Sequence, residues 1–264
     1  MITLKTPEQI EQIRHNGQIL REATAKVIAV AKPGVSTYEL DRIVEEYILS
    51  QQAQPTFKGY KREHHPAFKY ASCISVNEVF VHGIPSKKVI LKQGDIVSID
   101  VGVTKNGAIA DSCISFGIGE LLPQHQKLLD VAKQTTLYGI SLCKSGMSIH
   151  ELAGKIFDFT ASFDDYTIVP ELYGHGTGTK LHEAPAICFT RDCLSLIPNV
   201  ILKPNMVITI EPVICFKSSR GMYYQRKDHW SLVSIDSSFS AQFEHTVAIK
   251  GDDQEPDILT GNFG

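Results

Sequence analysis

Leu91-Lys92-Gln93-Gly94-Asp95-Ile96-Val97-Ser98-Ile99-Asp100 returns later in the chain as Leu202-Lys203-Pro204-Asn205-Met206-Val207-Ile208-Thr209-Ile210-Glu211. Each copy sets a Gly or Asn turn behind a lysine, then runs into a β-branched strand that ends on a carboxylate. A second pair repeats at nearly the same offset: Lys32-Pro33-Gly34-Val35-Ser36-Thr37-Tyr38-Glu39-Leu40 and Lys144-Ser145-Gly146-Met147-Ser148-Ile149-His150-Glu151-Leu152. In both, a lysine and a glycine precede a serine cap, and a glutamate and a leucine follow on the new helix. Two matches in the same order point to related halves, 1–130 and 131–250, each with helices followed by strands. Separate halves of that size would each need a core. A shared sheet with both helical layers on one side buries the faces of both copies and draws Asp100 and Glu211 toward a common centre. The expectation is an α+β fold with pseudo-twofold symmetry in one domain, 1–250, followed by a polar, loosely held tail, 251–264.

The flanking segments fit this plan. Thr6-Pro7-Glu8-Gln9 places a capping hydroxyl, then proline, then glutamine at the third helical position, so a helix starts there. Ile10, Ile13, Ile19 and Leu20 form its apolar stripe, which ends before Lys32-Pro33-Gly34, and a second helix runs from Ser36 or Thr37 to about Gln52. Between Asp100 and Asp111, Asn106-Gly107 is a strong two-residue hairpin signal. It sets Lys105 opposite Ala108 and Asp111 opposite Gly102. Strand side chains alternate, so Asp100 and Asp111 become diagonal neighbours on one face.

The 264 residues carry 26 basic and 29 acidic side chains, a net charge of -3, which argues against a generally basic nucleic-acid-binding surface. A chain of this length can bury a large core without staples. Six cysteines are too few and too scattered for a disulfide scaffold, and Cys188 with Cys193 lacks a matching second pair for structural zinc, so reduced thiols are expected. The N-terminus has no apolar signal region, and no uncharged run approaches the roughly 20 residues that span a bilayer. These features predict a soluble intracellular protein.

Two aspartates side by side repel unless lysine, arginine or a metal lies between them. Glu211 ends its strand before Pro212, and Glu244 lies in the strand-like Ala241-Gln242-Phe243-Glu244-His245-Thr246-Val247-Ala248-Ile249. His175 sits among glycines in Gly174-His175-Gly176-Thr177-Gly178, where the backbone can curve tightly around a small ligand. A phosphate loop is the rival reading, but neither a Gly-Lys-Ser/Thr sequence nor a dinucleotide fingerprint occurs. His82, in Val81-His82-Gly83-Ile84-Pro85, marks another strand-to-turn junction.

Val81-His82-Gly83-Ile84-Pro85, the Asp100 and Asp111 pair, His175-Gly176-x-Gly178 with His182-Glu183-x-Pro185, Glu211-Pro212 and Phe243-Glu244-His245-Thr246 together resemble type I methionine aminopeptidases. The resemblance runs from about residue 3 to 250 and is closest to the bacterial form, since no zinc-finger or ribosome-targeting extension precedes the catalytic domain. It implies the pita-bread fold, two duplicated α/β halves around a dinuclear metal site. Asp100 would chelate one metal, Asp111 and Glu244 would bridge both, and His175 with Glu211 would complete the other. The oxygen-rich set suits divalent cobalt, manganese, iron or zinc, and two such ions would acidify a bridging water for attack on an amide.

By the same resemblance, His182 contacts the scissile carbonyl oxygen, His82 contacts the amide nitrogen region, and Glu211 also shuttles a proton to the departing amine. Phe68, Cys73, Leu181 and Trp230 correspond to the methionine pocket, with His65 at its edge and His245 structural. The substrates implied are nascent polypeptide N-termini and short peptides with a small second residue. The setting implied is the cytoplasm, with a monomeric enzyme in transient ribosome contact and no membrane or specific nucleic-acid partner. Departures lie in the charged 61–70 segment, in Leu181 where an aromatic is common, and in 218–224. They bear on specificity more than on hydrolysis. X-prolyl aminopeptidases, proline dipeptidases, creatinase-like hydrolases and non-enzymatic binding relatives share the scaffold. The first two usually carry a preceding domain for which this chain has no room, and binding relatives are expected to have lost ligands.

Overall fold

The two repeated segments make the same local bonds. Gly34 N–H donates to Leu91 O at 2.9 Å and Leu91 N–H to Val35 O at 2.8 Å; Gly146 N–H donates to Leu202 O at 2.9 Å and Leu202 N–H to Met147 O at 2.8 Å. Ser36 bridges Ile90, and Ser148 bridges Ile201. The turn before each carboxylate-bearing strand uses a left-handed residue, Gly94 at φ 87° in one copy and Asn205 at φ 68° in the other. Asn is one of the few side chains that tolerate this region, which explains the exchange.

The computed structural model describes residues 2–62, 65–219, 223–251 and 254–261. Glu63 and His64 of the charged segment, positions 220–222 of the departing loop, and 252–253 and 262–264 of the tail lie outside the described residues. Helix α1 spans Pro7–Val30 behind a Thr6/Gln9 capping box, and α2 spans Thr37–Ser50 behind a Ser36/Glu39 box. Helix α3, Pro123–Ser141, precedes α4, Ile149–Ala161, whose first turn is capped by Ser148. Among the described residues no helix is long and apolar enough to cross a membrane.

Each helix pair covers its own strands. Ile19, Val27, Leu40 and Ile48 from α1 and α2 pack with Ile74, Val97, Ile99 and Val101. Leu128, Val131, Leu152 and Ile156 from α3 and α4 pack with Ile208, Ile210, Ile214 and Val247. The hairpin forms in the expected register, Ile96–Lys105 against Ala108–Gly117 with Lys105 opposite Ala108 and Gly102 opposite Asp111. Asn106 and Gly107 both take positive φ, 52° and 74°, as a type I′ turn requires.

Three features differ from expectation. The halves do not share one continuous sheet; among the described residues there are sheets of four, three, three and five strands, and one of the three-stranded sheets joins Val79–Val81 of the first half to Leu232–Ser234 of the second. Beside the carboxylates the seam is closed by hydroxyl side chains together with single backbone bonds. Asp111 N–H donates to Thr246 Oγ1 at 3.1 Å, Thr246 Oγ1 donates to Asp111 O at 2.7 Å, and Gln242 N–H donates to Ser115 Oγ at 2.8 Å. Glu244 N–H reaches Cys113 O at 2.9 Å, so strand 108–117 of one half is stitched directly to 242–246 of the other. The second difference concerns the thiols. The intervening turn brings Cys188 and Cys193 side by side, with Cα atoms 6.3 Å apart and within disulfide range, while Cys73, Cys113 and Cys143 are free and buried.

The third difference is the C-terminal segment, expected to be loosely held: residues 257–260 pair with strand 245–248 and lie tightly against α1. A Cβ on Gly17 would stand 2.2 Å from Leu259 O. Alanine normally improves a helix interior by about 0.5–1 kcal/mol over glycine, but overpacking here should cost roughly 1–3 kcal/mol. Gly17→Ala is therefore expected to lower the thermal midpoint, while Gln18→Ala on the exposed side changes stability by less than about 0.5 kcal/mol. A Gly17→Ala protein as stable as the parent would contradict this packing.

Candidate metal centre

Strand alternation and the hairpin register bring Asp100 and Asp111 to one face. His175 lies on the short strand Gly174–Gly176, Glu211 immediately follows Val207–Ile210, and Glu244 immediately precedes His245–Ala248. All five line one cavity of about 560 Å³. Ligand atoms of Asp111, His175 and Glu244 lie within 4.8 Å of one another. His175 Nε2 is 3.5 Å from Glu211 Oε1 and 3.8 Å from Asp111 Oδ2.

Hydrogen bonding sets the direction of these groups. His175 Nδ1 lies 3.0 Å from Gly176 O, an acceptor only, so Nδ1 carries the proton and the Nε2 lone pair faces the carboxylates. His175 N–H donates to Thr209 Oγ1 at 2.9 Å, and that hydroxyl donates to Glu211 Oε1 at 2.6 Å. Gln242 Nε2 donates to the other Glu211 oxygen at 3.3 Å. By contrast, Asp100 Oδ1, Asp111 Oδ1 and Glu244 Oε1 are buried with no hydrogen-bond partner among the described residues.

Burial raises the proton affinity of every acid in the set. Asp100 is pushed up to about 7 and Glu211 to about 8, in both cases chiefly by burial. Asp111 is raised well above the usual carboxylate range by burial, then by Asp100 and Glu211, and Glu244 by burial, then by Glu211 and Asp111. Burial lowers His175 to about 3, leaving it neutral with its lone pair available. Orphaned carboxylate oxygens, a neutral imidazole and mutual repulsion are what a divalent-cation site with hard oxygen ligands offers, so the residues fit a metal centre.

The remaining predicted residues divide by position. His82 and His182 line the same cavity, and the His182 ring lies 4.3 Å from that of His175. His82 is lowered to about 4 by burial, then by the charge of Arg62, and His182 is lowered by the same two causes. Phe68, Cys73, Leu181 and Trp230 form one apolar cluster with Phe57 and Ile109 beside the carboxylates. His65 does not line the cavity. It packs on Trp230 at 5.9 Å and on His229 at 6.4 Å between ring centroids. His245 is buried with Nδ1 bonded to Thr260 Oγ1 at 2.7 Å, in keeping with a structural place.

Sequence reasoning missed Phe57, Tyr60, Arg62, Thr209 and Gln242, of which all but Thr209 line the cavity. Thr209 and Gln242 were within reach, since each stands two residues before a glutamate of the site and alternation favours a common face. Phe57, Tyr60 and Arg62 lie on a connection without periodicity, where no such signal exists.

The family model for metallopeptidase family M24 matches residues 11–251. Methionine aminopeptidase 1 of Bacillus subtilis is 37% identical over 253 residues, covering 94% of this chain and 96% of that protein. Methionine aminopeptidase of Escherichia coli is 36% identical over 260 residues, covering 98% and 94%. The crystal structure of methionine aminopeptidase from Thermotoga maritima matches with a TM-score of 0.90 at 31% identity, covering 99% of this chain and 100% of that one. Prolidase from Pyrococcus furiosus shares the fold, with a TM-score of 0.77 at 21% identity, and this chain spans 66% of its length. With the family model matched over most of its length and these relatives matched nearly end to end, the chain belongs to metallopeptidase family M24, among the methionine aminopeptidases.

Proposed function

We propose that this chain removes N-terminal methionine from nascent proteins and peptides whose second residue is small. The observation that carries the reading is one cavity in which the carboxylate and histidine set adjoins a closed apolar cluster. Asp100, Asp111, His175, Glu211 and Glu244 would hold two divalent cations drawn from cobalt, manganese, iron or zinc. Such cations supply an acidified water as nucleophile and polarise the carbonyl under attack.

The chain's own residues then divide the work. Phe57, Phe68, Cys73, Leu181 and Trp230 enclose the methionine side chain, which selects an unbranched apolar group and excludes water. His182 donates to the carbonyl oxygen of the scissile bond, and His82 lies against the amide nitrogen region. Glu211, oriented by Thr209 and Gln242, carries a proton to the departing amine. The amino-terminal methionine is bounded by the carboxylates, so a longer N-terminal extension has no room beyond them. A cytoplasmic monomer acting on chains at the ribosome is the setting that fits this substrate.

The near end-to-end match to methionine aminopeptidases supports this reading over an X-prolyl enzyme, since the prolidase match leaves about a third of that chain uncovered. Purified protein stripped of metal and reloaded with single metals should cleave Met-Ala-Ser, cleave Met-Leu-Ser poorly, and leave Ala-Pro-Ser intact. Preferential cleavage of Ala-Pro-Ser, or full turnover after verified metal removal, would overturn the proposal.

Leu181 offers a sharper test of the pocket. It is buried against the Phe68, Cys73 and Trp230 cluster, where an aromatic ring would add a sulfur contact worth roughly 0.3–1.5 kcal/mol. Leu181→Phe should raise the ratio of kcat/KM for Met over Leu at the first position. A ratio unchanged or lowered in matched peptides would remove Leu181 from the specificity determinants.

A further inference from the structure

Tyr60 stands outside the metal-binding set, yet its hydroxyl lies 2.8 Å from His182 Nδ1. Its ring is 5.5 Å from the His182 ring and 6.4 Å from Trp230 between centroids. The backbone beneath it is pinned: Tyr60 N–H donates to Phe57 O at 2.9 Å, Phe68 N–H to Tyr60 O at 2.9 Å, and Gly59 N–H to Phe68 O at 2.8 Å. Phe57 and Phe68 are both buried, so the phenol is presented from a fixed support.

A neutral imidazole has one N–H and one bare nitrogen, and the partner of one nitrogen decides the state of the other. A phenol is a good donor, and an imidazole nitrogen is a better acceptor than a phenolic oxygen. The favoured arrangement therefore has Tyr60 O–H donating to Nδ1, which leaves the ring proton on Nε2. We propose that Tyr60 is a positioning residue that fixes His182 as its Nε2–H tautomer, so that this N–H donates to the carbonyl oxygen of the scissile peptide bond. The opposite tautomer would turn a lone pair toward that oxygen and repel it. The assignment rests on the aminopeptidase reading for its substrate and on the Tyr60–His182 contact for its tautomer.

Tyr60→Phe keeps the ring and its contacts and removes only the hydroxyl. In zinc-loaded protein labelled with ¹⁵N-histidine, the His182 resonances, assigned by their loss in His182→Ala, should show an unprotonated Nδ1 and a protonated Nε2. Tyr60→Phe should move them toward a mixture of tautomers. With Met-Ala-Ser, kcat should fall about 10-fold, less than the 10²–10³ lost on removing a carbonyl-oxygen donor outright, while KM stays within about twofold. Tyr60→Phe combined with His182→Ala should be no slower than His182→Ala alone. A protonated Nδ1 in the parent protein, an unchanged spectrum in Tyr60→Phe, or independent losses that multiply would overturn the proposal. Failure of the parent protein to cleave Met-Ala-Ser would refute the substrate reading, while the spectrum would still decide the tautomer.

Discussion

Four carboxylates, Asp100, Asp111, Glu211 and Glu244, converge in one cavity away from bulk water, and positive charge is needed if they are to ionise together. Burial alone penalises each charge by several kcal/mol, and mutual repulsion adds to it. The structure answers part of this need with hydrogen bonds, since Glu211 accepts from Thr209 and Gln242. It leaves oxygens of Asp100, Asp111 and Glu244 without partners. Protons or divalent cations must supply the remainder, and the neutral His175, with its Nε2 lone pair turned to the same point, favours cations as the functional occupant.

That constraint explains the architecture around the site. Carboxylates that repel cannot be held by a mobile loop, and here each lies within or directly beside a strand. The seam between the halves is closed at those strands, by Thr246 on the backbone of Asp111 and by Glu244 on the carbonyl of Cys113. Bonds that join the two halves are thus also bonds that set the candidate metal ligands. The apolar side of the cavity is built on less regular backbone, where Phe57, Tyr60 and Phe68 fix one another through a few main-chain bonds. Variation in that segment can therefore retune the pocket without disturbing the carboxylates.

The readable parts of the site were those governed by periodicity. The Asn106-Gly107 turn gave the register, and the register gave the shared face of Asp100 and Asp111. The repeated Lys-x-Gly/Asn turns led to the two equivalent strands, although Asp100 stands within Ile96–Lys105 while Glu211 directly follows Val207–Ile210, and the serine caps located α2 and α4. The seam was not readable in the same way, because a hydroxyl bonding a distant backbone group leaves no pattern in its own segment. The same holds for Tyr60, whose contact with His182 spans 122 positions. The approach of Cys188 to Cys193 was not readable either, because it depends on the path of a turn rather than on a recurring motif.

The need for positive charge can be measured directly through proton release. Burial raises Asp100 to about 7 and Glu211 to about 8, and Asp111 and Glu244 are raised as well, so near pH 6 the metal-free site holds protons that exposed carboxylates would have lost. Divalent cations must expel those protons on binding. Titrating metal-free protein with zinc at pH 6, by calorimetry in buffers of different ionisation enthalpy, should show net proton release that disappears when Asp111→Asn and Glu244→Gln are combined and metal no longer binds. Tight metal binding with a heat independent of the buffer would show that the cluster is already ionised without cations, and would contradict the account.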